Sequence, residues 1–273
     1  MVNIKRPMSI PKKIHWCWLS GDPLPANLQK CIDSWKRIMP DYEIICWDKK
    51  RFDIRSVPFV EQAYACRKYA FAADYIRLYA LYTEGGIYLD SDVMVFERFD
   101  KYLNHSAFTS VEYYREMISW RNDMDWYSQH TGYEIQGAIL GSEKGNKWIK
   151  KSLDYYKDKT FVMENGQIKG INTICSIMAK IAHDDFGFVY DDFSGKPQNL
   201  KDGLVIYPPY VFAALYSEVR LNTVCIHLAE QAWLGGHIKR KGLNKIYNYL
   251  VTNYRLFGWL HFQKKLLFSK TVK

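Results

Sequence analysis

The stretch Gly85-Gly86-Ile87-Tyr88-Leu89-Asp90-Ser91-Asp92 closes one element and opens another. Upstream, residues 61–84 are rich in Ala, Leu, Tyr and Arg and contain no Gly or Pro, so they predict one long, mostly buried helix that the glycine pair ends. Downstream, residues 87–96 are β-branched and aromatic enough to predict a strand. Within a strand Tyr88, Asp90 and Asp92 share one face by the two-residue period, with the Cα atoms of the two aspartates about 6.6 Å apart.

Working outward, residues 14–19 predict a strand closed by the turn signal Ser20-Gly21-Asp22-Pro23. Leu28, Cys31, Ile32 and Trp35 recur at helical spacing over 26–38 before Pro40 stops the pattern, and 42–47 predict a second strand. Strand, helix, strand within so short a span implies a right-handed crossover, a parallel pair and an α/β fold. The second half predicts helices near 147–156 and 171–182 and short strands at 135–140, 204–207 and 224–228. No linker or repeat divides the chain, which reads as one domain over 1–238 with a helical extension over 239–273.

The charge is unevenly distributed. Of 38 Lys and Arg, nine lie in 239–273 together with none of the 29 Asp and Glu, so residues 1–238 are neutral and the net charge of +9 belongs to the tail. A neutral body offers no basic groove, which argues against nucleic acid as partner. Beyond Gly242, the apolar residues Leu243, Ile246, Tyr247, Leu250, Tyr254 and Phe257 follow helical spacing among Lys and Arg. Two readings of 243–268 stay open: a helix docked on the domain, or an interfacial anchor on anionic lipid. No run approaches the roughly 20 apolar residues of a membrane span. The first residues lack the apolar segment of a secretory signal, so a cytoplasmic location is expected, with peripheral attachment to the inner membrane face if the tail is an anchor. Six cysteines without a C-x-x-C pair predict reduced, buried thiols and no structural zinc.

Two carboxylates in an apolar strand are costly unless a cation lies between them. A hard divalent ion with oxygen ligands, Mn²⁺ or Mg²⁺, fits that chemistry, whereas a strand end that has reached solvent is the alternative. In the preceding helix Asp74 and Arg77 stand at i and i+3 on one face, either as a helical ion pair or as groups that grip a ligand's hydroxyls and phosphates.

The run Ala70-Phe71-Ala72-Ala73-Asp74-Tyr75-Ile76-Arg77-Leu78 followed by Gly85 to Asp92 resembles glycosyltransferases with a D-x-D sugar-binding motif, in particular family 32, and more distantly the large clostridial glucosylating toxins. The opening Ile10-Pro11-Lys12-Lys13-Ile14-His15-Trp16-Cys17-Trp18-Leu19, with Trp35, Pro40, Tyr42 and Trp47-Asp48, matches the same pattern. The resemblance implies a GT-A fold, a Rossmann-like mixed sheet flanked by helices, and a metal-dependent hexosyltransferase. It would use a nucleotide sugar as donor and a glycan or lipid-linked oligosaccharide as acceptor, in surface or capsular polysaccharide synthesis. UDP-sugars are favoured as donors, with GDP-mannose also considered.

Carried over position by position, Asp92 would bind the metal, Asp90 the metal or the ribose, and His227 would be a third ligand. Trp18 would stack on the base, Tyr88 would lie against the donor, and Asp74 and Arg77 would grip the donor sugar. Asp92, His227 and Trp233 would serve leaving-group departure, although the spacing of His227 and Trp233 departs from the family's. Retention of configuration is the family expectation, and Gln136 is the candidate for the sugar's β-face. Without the resemblance, Trp18 and His227 read equally as core residues, and His15 and Cys17 as structural ones. Two other readings remain open at this level: a metal-dependent nucleotidyl or phosphoryl transferase, and a carbohydrate-binding domain without turnover.

Overall fold

A computed structural model describes residues 9–113, 127, 130, 132–169, 172–190, 194–215 and 218–229. The expected α/β class is borne out by a mixed sheet flanked by helices, in the strand order β2-β1-β3-β7-β5-β9-β8 with β6 on β5. The strands are β1 (Lys13–Cys17), β2 (Glu43–Trp47), β3 (Gly86–Leu89), β4 (Val93–Val95), β5 (Ala107–Tyr113), β6 (Tyr133–Ile135), β7 (Ile139–Ser142), β8 (Gln198–Asn199) and β9 (Leu204–Tyr207). A second sheet joins β10 (Phe212–Ala213), β11 (Cys225–His227) and β4. The described helices are α1 (Ala26–Ile38), α2 (Pro58–Ala65), α3 (Tyr69–Glu84), α4 (Lys147–Asp154) and α5 (Ile174–Ile181).

β1 pairs in parallel with β2 and with β3, as the strand-helix-strand opening requires. One face of the sheet packs α2 to α5 through Phe59, Ile76, Leu81, Trp148 and Ile177, and the other packs α1 and the small sheet through Trp35, Phe99, Phe108 and Phe212. His15 is fully buried and joins three elements: its Nδ1 accepts from the Trp47 indole at 3.0 Å, and its Nε2 meets the Gly85 carbonyl at 2.8 Å. Its structural reading fits that place.

Three expectations need correction. The long helix over 61–84 is two helices, because Arg67 takes a left-handed φ of 56° and the Cys66, Arg67 and Lys68 amides close the end of α2 on Gln62, Tyr64 and Ala63 carbonyls. The strand over 135–140 is broken at 136–138, where β6 ends and β7 begins. The strand over 87–96 is also two strands, so Asp90 and Asp92 do not alternate along one pleated face. They sit in a turn closed by the Val93 amide on the Asp90 carbonyl at 2.9 Å, at which the chain leaves the large sheet for the small one. Among the cysteines, all six are free thiols, but Cys66 is exposed, at the left-handed break that ends α2.

Among the described residues no helix is long and apolar enough to cross a membrane. The tail, the domain boundary at 238 and Trp233 lie outside the described residues.

Candidate functional site

The turn at Asp90-Ser91-Asp92 is held on both sides by backbone. The Asp90 amide donates to the Ala138 carbonyl at 2.9 Å, and the Leu228 amide donates to the Asp92 carbonyl at 3.0 Å. β11 runs antiparallel to β4 with His227 opposite Val93, so register alone delivers an imidazole beside the second aspartate. Ligand atoms of Asp90, Asp92 and His227 all lie within 4.8 Å of one another. His227 Nε2 stands 3.3 Å from Asp92 Oδ1, and both side chains keep some exposure.

Burial opposes charge on His227, yet Asp92, by charge and hydrogen bond, and then Asp90 outweigh it and push the imidazole up to about 9. A positive charge is thus favoured at this point even without an ion. Two carboxylates and one imidazole, at hard-to-borderline donor chemistry and bite distances, fit a divalent cation such as Mn²⁺ or Mg²⁺.

Behind Asp90 stands a buried network. Tyr88 and Arg77 are 1% and 5% exposed. The Tyr88 hydroxyl donates to Asp90 Oδ1 at 2.9 Å, and Arg77 Nη2 lies 2.9 Å from Asp74 Oδ1 and 3.5 Å from Asp90 Oδ1. Arg77 Nη1 donates to the Gly137 carbonyl at 2.7 Å, its Nε donates to the Ala73 carbonyl at 3.3 Å, and its guanidinium lies over the Tyr88 ring. Burial raises the pKa of Asp74, which Arg77 opposes. Gly137 is a glycine for a steric reason: a Cβ there would meet Ile174 Cγ2 at 2.7 Å and Arg77 Nη1 at 3.3 Å.

Trp18 follows the end of β1, at the same carboxyl edge of the sheet, and its indole donates to the Asp22 carbonyl at 2.7 Å. The Cys17 thiol, pushed up to about 12 by burial, packs against the core and so belongs to the packing beneath the site. The structure therefore brings Asp74, Arg77, Tyr88, Asp90, Asp92 and His227 into one network. Gln136 lies in the adjacent break, 1% exposed; its amide nitrogen donates to Ser110 Oγ at 2.5 Å and to the Phe212 carbonyl.

With that geometry in place, comparison with known proteins is direct. Residues 25–109 match the glycosyltransferase sugar-binding region containing the DXD motif. The resemblance drawn from the motifs is thereby borne out, and the DXD region includes α1, α3 and the Asp90-Ser91-Asp92 turn.

Two curated relatives share this similarity. Subversion of eukaryotic traffic protein A of Legionella pneumophila is 30% identical over 112 residues, 31% of this chain and 17% of that protein. Inositol phosphoceramide mannosyltransferase 3 of Schizosaccharomyces pombe is 34% identical over 149 residues, 52% of this chain and 35% of that protein. The matches thus span about a third or less of each relative's length. Among solved structures, the PaToxG glycosyltransferase is 20% identical with a TM-score of 0.44, covering 64% of this chain and 69% of that one. The galactosyltransferase LgtC, solved with donor and acceptor sugar analogues, is 16% identical with a TM-score of 0.44, covering 81% and 88%.

Beside the DXD region two further carboxylates meet that sequence reading passed over. Glu112 on β5 and Glu134 on β6 are direct cross-strand partners. The Cys175 thiol donates to Glu112 at 3.1 Å, and the Thr173 hydroxyl donates to Glu134 at 3.4 Å. Burial, then Glu112, pushes Glu134 up to about 7, with Thr173 opposing. No local signal marks the pair, because only the β5–β6 register makes Glu112 and Glu134 neighbours.

A folded-state pKa above the unfolded value means that folding takes up a proton, so the Glu134 carboxyl costs stability as pH rises from the ordinary carboxyl range through about 7. Glu134→Gln should therefore be more stable than wild type at pH 8 by about 1 kcal/mol, a rise of about 2–4 °C in Tm, and show no gain near pH 4. Thermal melts across that range check the expectation, and a gain at low pH alone would contradict it.

Proposed function

We propose that this chain is a metal-dependent glycosyltransferase of the GT-A type that moves a hexose from a nucleotide sugar to a glycan acceptor. The observation that carries the reading is the convergence of Asp90, Asp92 and His227 within a matched DXD region. When bound, a divalent ion there would neutralise the charge that builds on the departing diphosphate.

The chain's own residues do the rest. Asp92, at the end of the turn that leads into β4, and His227, at the end of β11, present an oxygen and a nitrogen, and Asp90 supplies a second carboxylate from the start of the same turn. Trp18, at the same sheet edge, offers an indole face for the base, and Asp74 offers acceptors for sugar hydroxyls. Gln136, next to the Gly137 carbonyl, is the β-face group in this reading, with retention of configuration.

The name of the Schizosaccharomyces pombe relative supports a mannose donor. The resemblance to polysaccharide enzymes supports a UDP-sugar and a surface or capsular glycan, built on a lipid-linked acceptor at the cytoplasmic membrane face. Trp233 in leaving-group departure and the tail over 243–268 as an anionic-lipid anchor complete the proposal.

Products test it. Incubated with Mn²⁺ and a panel of nucleotide sugars, the protein should release free nucleoside diphosphate together with transferred or hydrolysed hexose. Release of pyrophosphate or inorganic phosphate would point to nucleotidyl or phosphoryl transfer instead, and donor binding without turnover would point to a binding domain.

A further inference from the structure

Glu112 and Glu134 belong to one polar face beside the break at 136–138. On β5, Ser110 and Glu112 point to the same side by the two-residue period, and Glu134 stands directly across from Glu112 on β6. Gln136, two residues on, returns to that face, since its amide nitrogen donates to Ser110 Oγ at 2.5 Å and to the Phe212 carbonyl. The start of α5 borders the pair, with the Cys175 thiol 3.1 Å from Glu112 and the Thr173 hydroxyl 3.4 Å from Glu134. Both glutamates keep part of their surface open.

Two buried oxygens flank this face, and neither has a hydrogen-bond partner: Gln136 Oε1 and Glu218 Oε1. Gln136 is 1% exposed and Glu218 8%. Their other polar atoms are already engaged, Gln136 Nε2 as above and Glu218 Oε2 by the Ala214 and Leu215 amides, each at 3.1 Å. Glu112 places a like charge near Glu218, and its charge also favours a proton on His227. The face is therefore rich in acceptors and within electrostatic reach of the Asp90, Asp92 and His227 group. Buried acceptors without donors are costly, so its complement is a ligand that brings several donors at once. A second cation does not fit, because Asp90, Asp92 and His227 are the only such converging group among the described residues.

We propose that Glu112 and Glu134 bind the acceptor, accepting hydrogen bonds from the hydroxyl groups of a neutral sugar placed beside Gln136. This deepens the hexosyltransferase reading above and rests on it. A carboxylate takes two neighbouring hydroxyls of a pyranose, and charge-assisted bonds are about twice as strong as neutral ones. Burial keeps a proton on Glu134 in part of the molecules near pH 7, so the pair both accepts and donates, as a hydroxyl does. An ammonium only donates and would call for two ionised carboxylates. A pair that lowers stability above pH 7 is also better explained by what it binds than by what it holds together.

The experiment measures hexose transfer by the full chain with Mn²⁺ at pH 7, from the nucleotide sugar that wild type turns over. The acceptors are methyl α-mannoside, methyl β-galactoside and methyl β-glucosaminide, the last with a free amine. Wild type is compared with Glu112→Gln, which keeps the shape, and Glu134→Ala, with thermal melts to verify that both are folded. Each variant should raise the KM for the preferred neutral glycoside about 10-fold or more and leave the KM for the nucleotide sugar at the wild-type value. One monodeoxy form of that glycoside should show the same loss with wild type, and the variants should be indifferent to the missing hydroxyl.

A wild-type acceptor KM in either folded variant would overturn the proposal, and so would an equal rise in the donor KM, which would make the pair structural. Preference for the glucosaminide, or donor hydrolysis by wild type without transfer to either neutral glycoside, would overturn it as well. Failure of the hexosyltransferase reading looks different: wild type would release no nucleoside diphosphate from any nucleotide sugar, and the proposal would fall with it.

Discussion

Asp92→Ala should lose Mn²⁺ binding and glycosyl transfer together while remaining folded. The side chain sits where two strands of the small sheet meet, and its replacement removes one of two carboxylates and the partner 3.3 Å from His227. Removing a ligand should exceed what loss of an outer partner costs, so turnover at fixed metal should fall by at least about 100-fold. The fold does not depend on the carboxylate. It is the Asp92 backbone carbonyl that accepts from Leu228, and the β4–β11 ladder is made of main chain. A melt near the wild-type temperature with no detectable transfer is the expected pair of results. Full turnover in a folded Asp92→Ala protein would remove this residue from the reaction.

The largest effect on stability is expected at Gly141. It lies on β7 directly opposite Phe108 of β5, and a Cβ built there would come within 2.0 Å of the Phe108 ring. The ring cannot simply move aside. It is fully buried among Phe99, Tyr102 and Phe212, with centroids 5.4–6.1 Å away. Gly141→Ala should therefore cost about 3 kcal/mol, at the upper end of overpacking penalties, from a total of about 5–15. Thermal melts should show a drop of roughly 10 °C. Adding Phe108→Leu to Gly141→Ala should recover part of the loss, because the smaller side chain vacates the space the new methyl needs. An unchanged Tm in the single variant would contradict the β5–β7 pairing itself.

How much of this was legible in the sequence depends on which physical signal each element carried. Helix α1 emerges at its predicted bounds, because Leu28, Cys31, Ile32 and Trp35 form one apolar stripe and Pro40 is an unambiguous stop. The parallel β1–β2 pair follows from the same crossover logic. The break after α2 carried no such signal: Arg67 adopts a left-handed φ without being Gly or Asn, and only tertiary packing can impose that. The turn at Asp90-Ser91-Asp92 was hidden for a related reason. Apolar residues on both sides suit a strand, and what makes two strands of them is a switch of pairing partner from β3's sheet to β11, a long-range fact.

For the site, Asp74, Arg77, Asp90 and Asp92 could be singled out because charge in an apolar run is conspicuous. Their convergence with His227 depends on register between segments more than a hundred residues apart. Glu112 and Glu134 escaped notice because each is ordinary alone, and only the cross-strand pairing makes them neighbours.

The passage of the chain from one sheet to the other between Leu89 and Val93 has a mechanical consequence. The residues that converge there do not belong to a single rigid plate: Asp90 hangs from the large sheet, while Asp92 and His227 belong to the small one, which α1 supports through the Trp35 indole on the Val93 carbonyl. A cation held at that seam would act as a clasp between the two sheets, and its affinity would be a measure of how well they are aligned. Any substitution that tilts the small sheet, however far from the carboxylates, then reaches the chemistry as a change in bite distance.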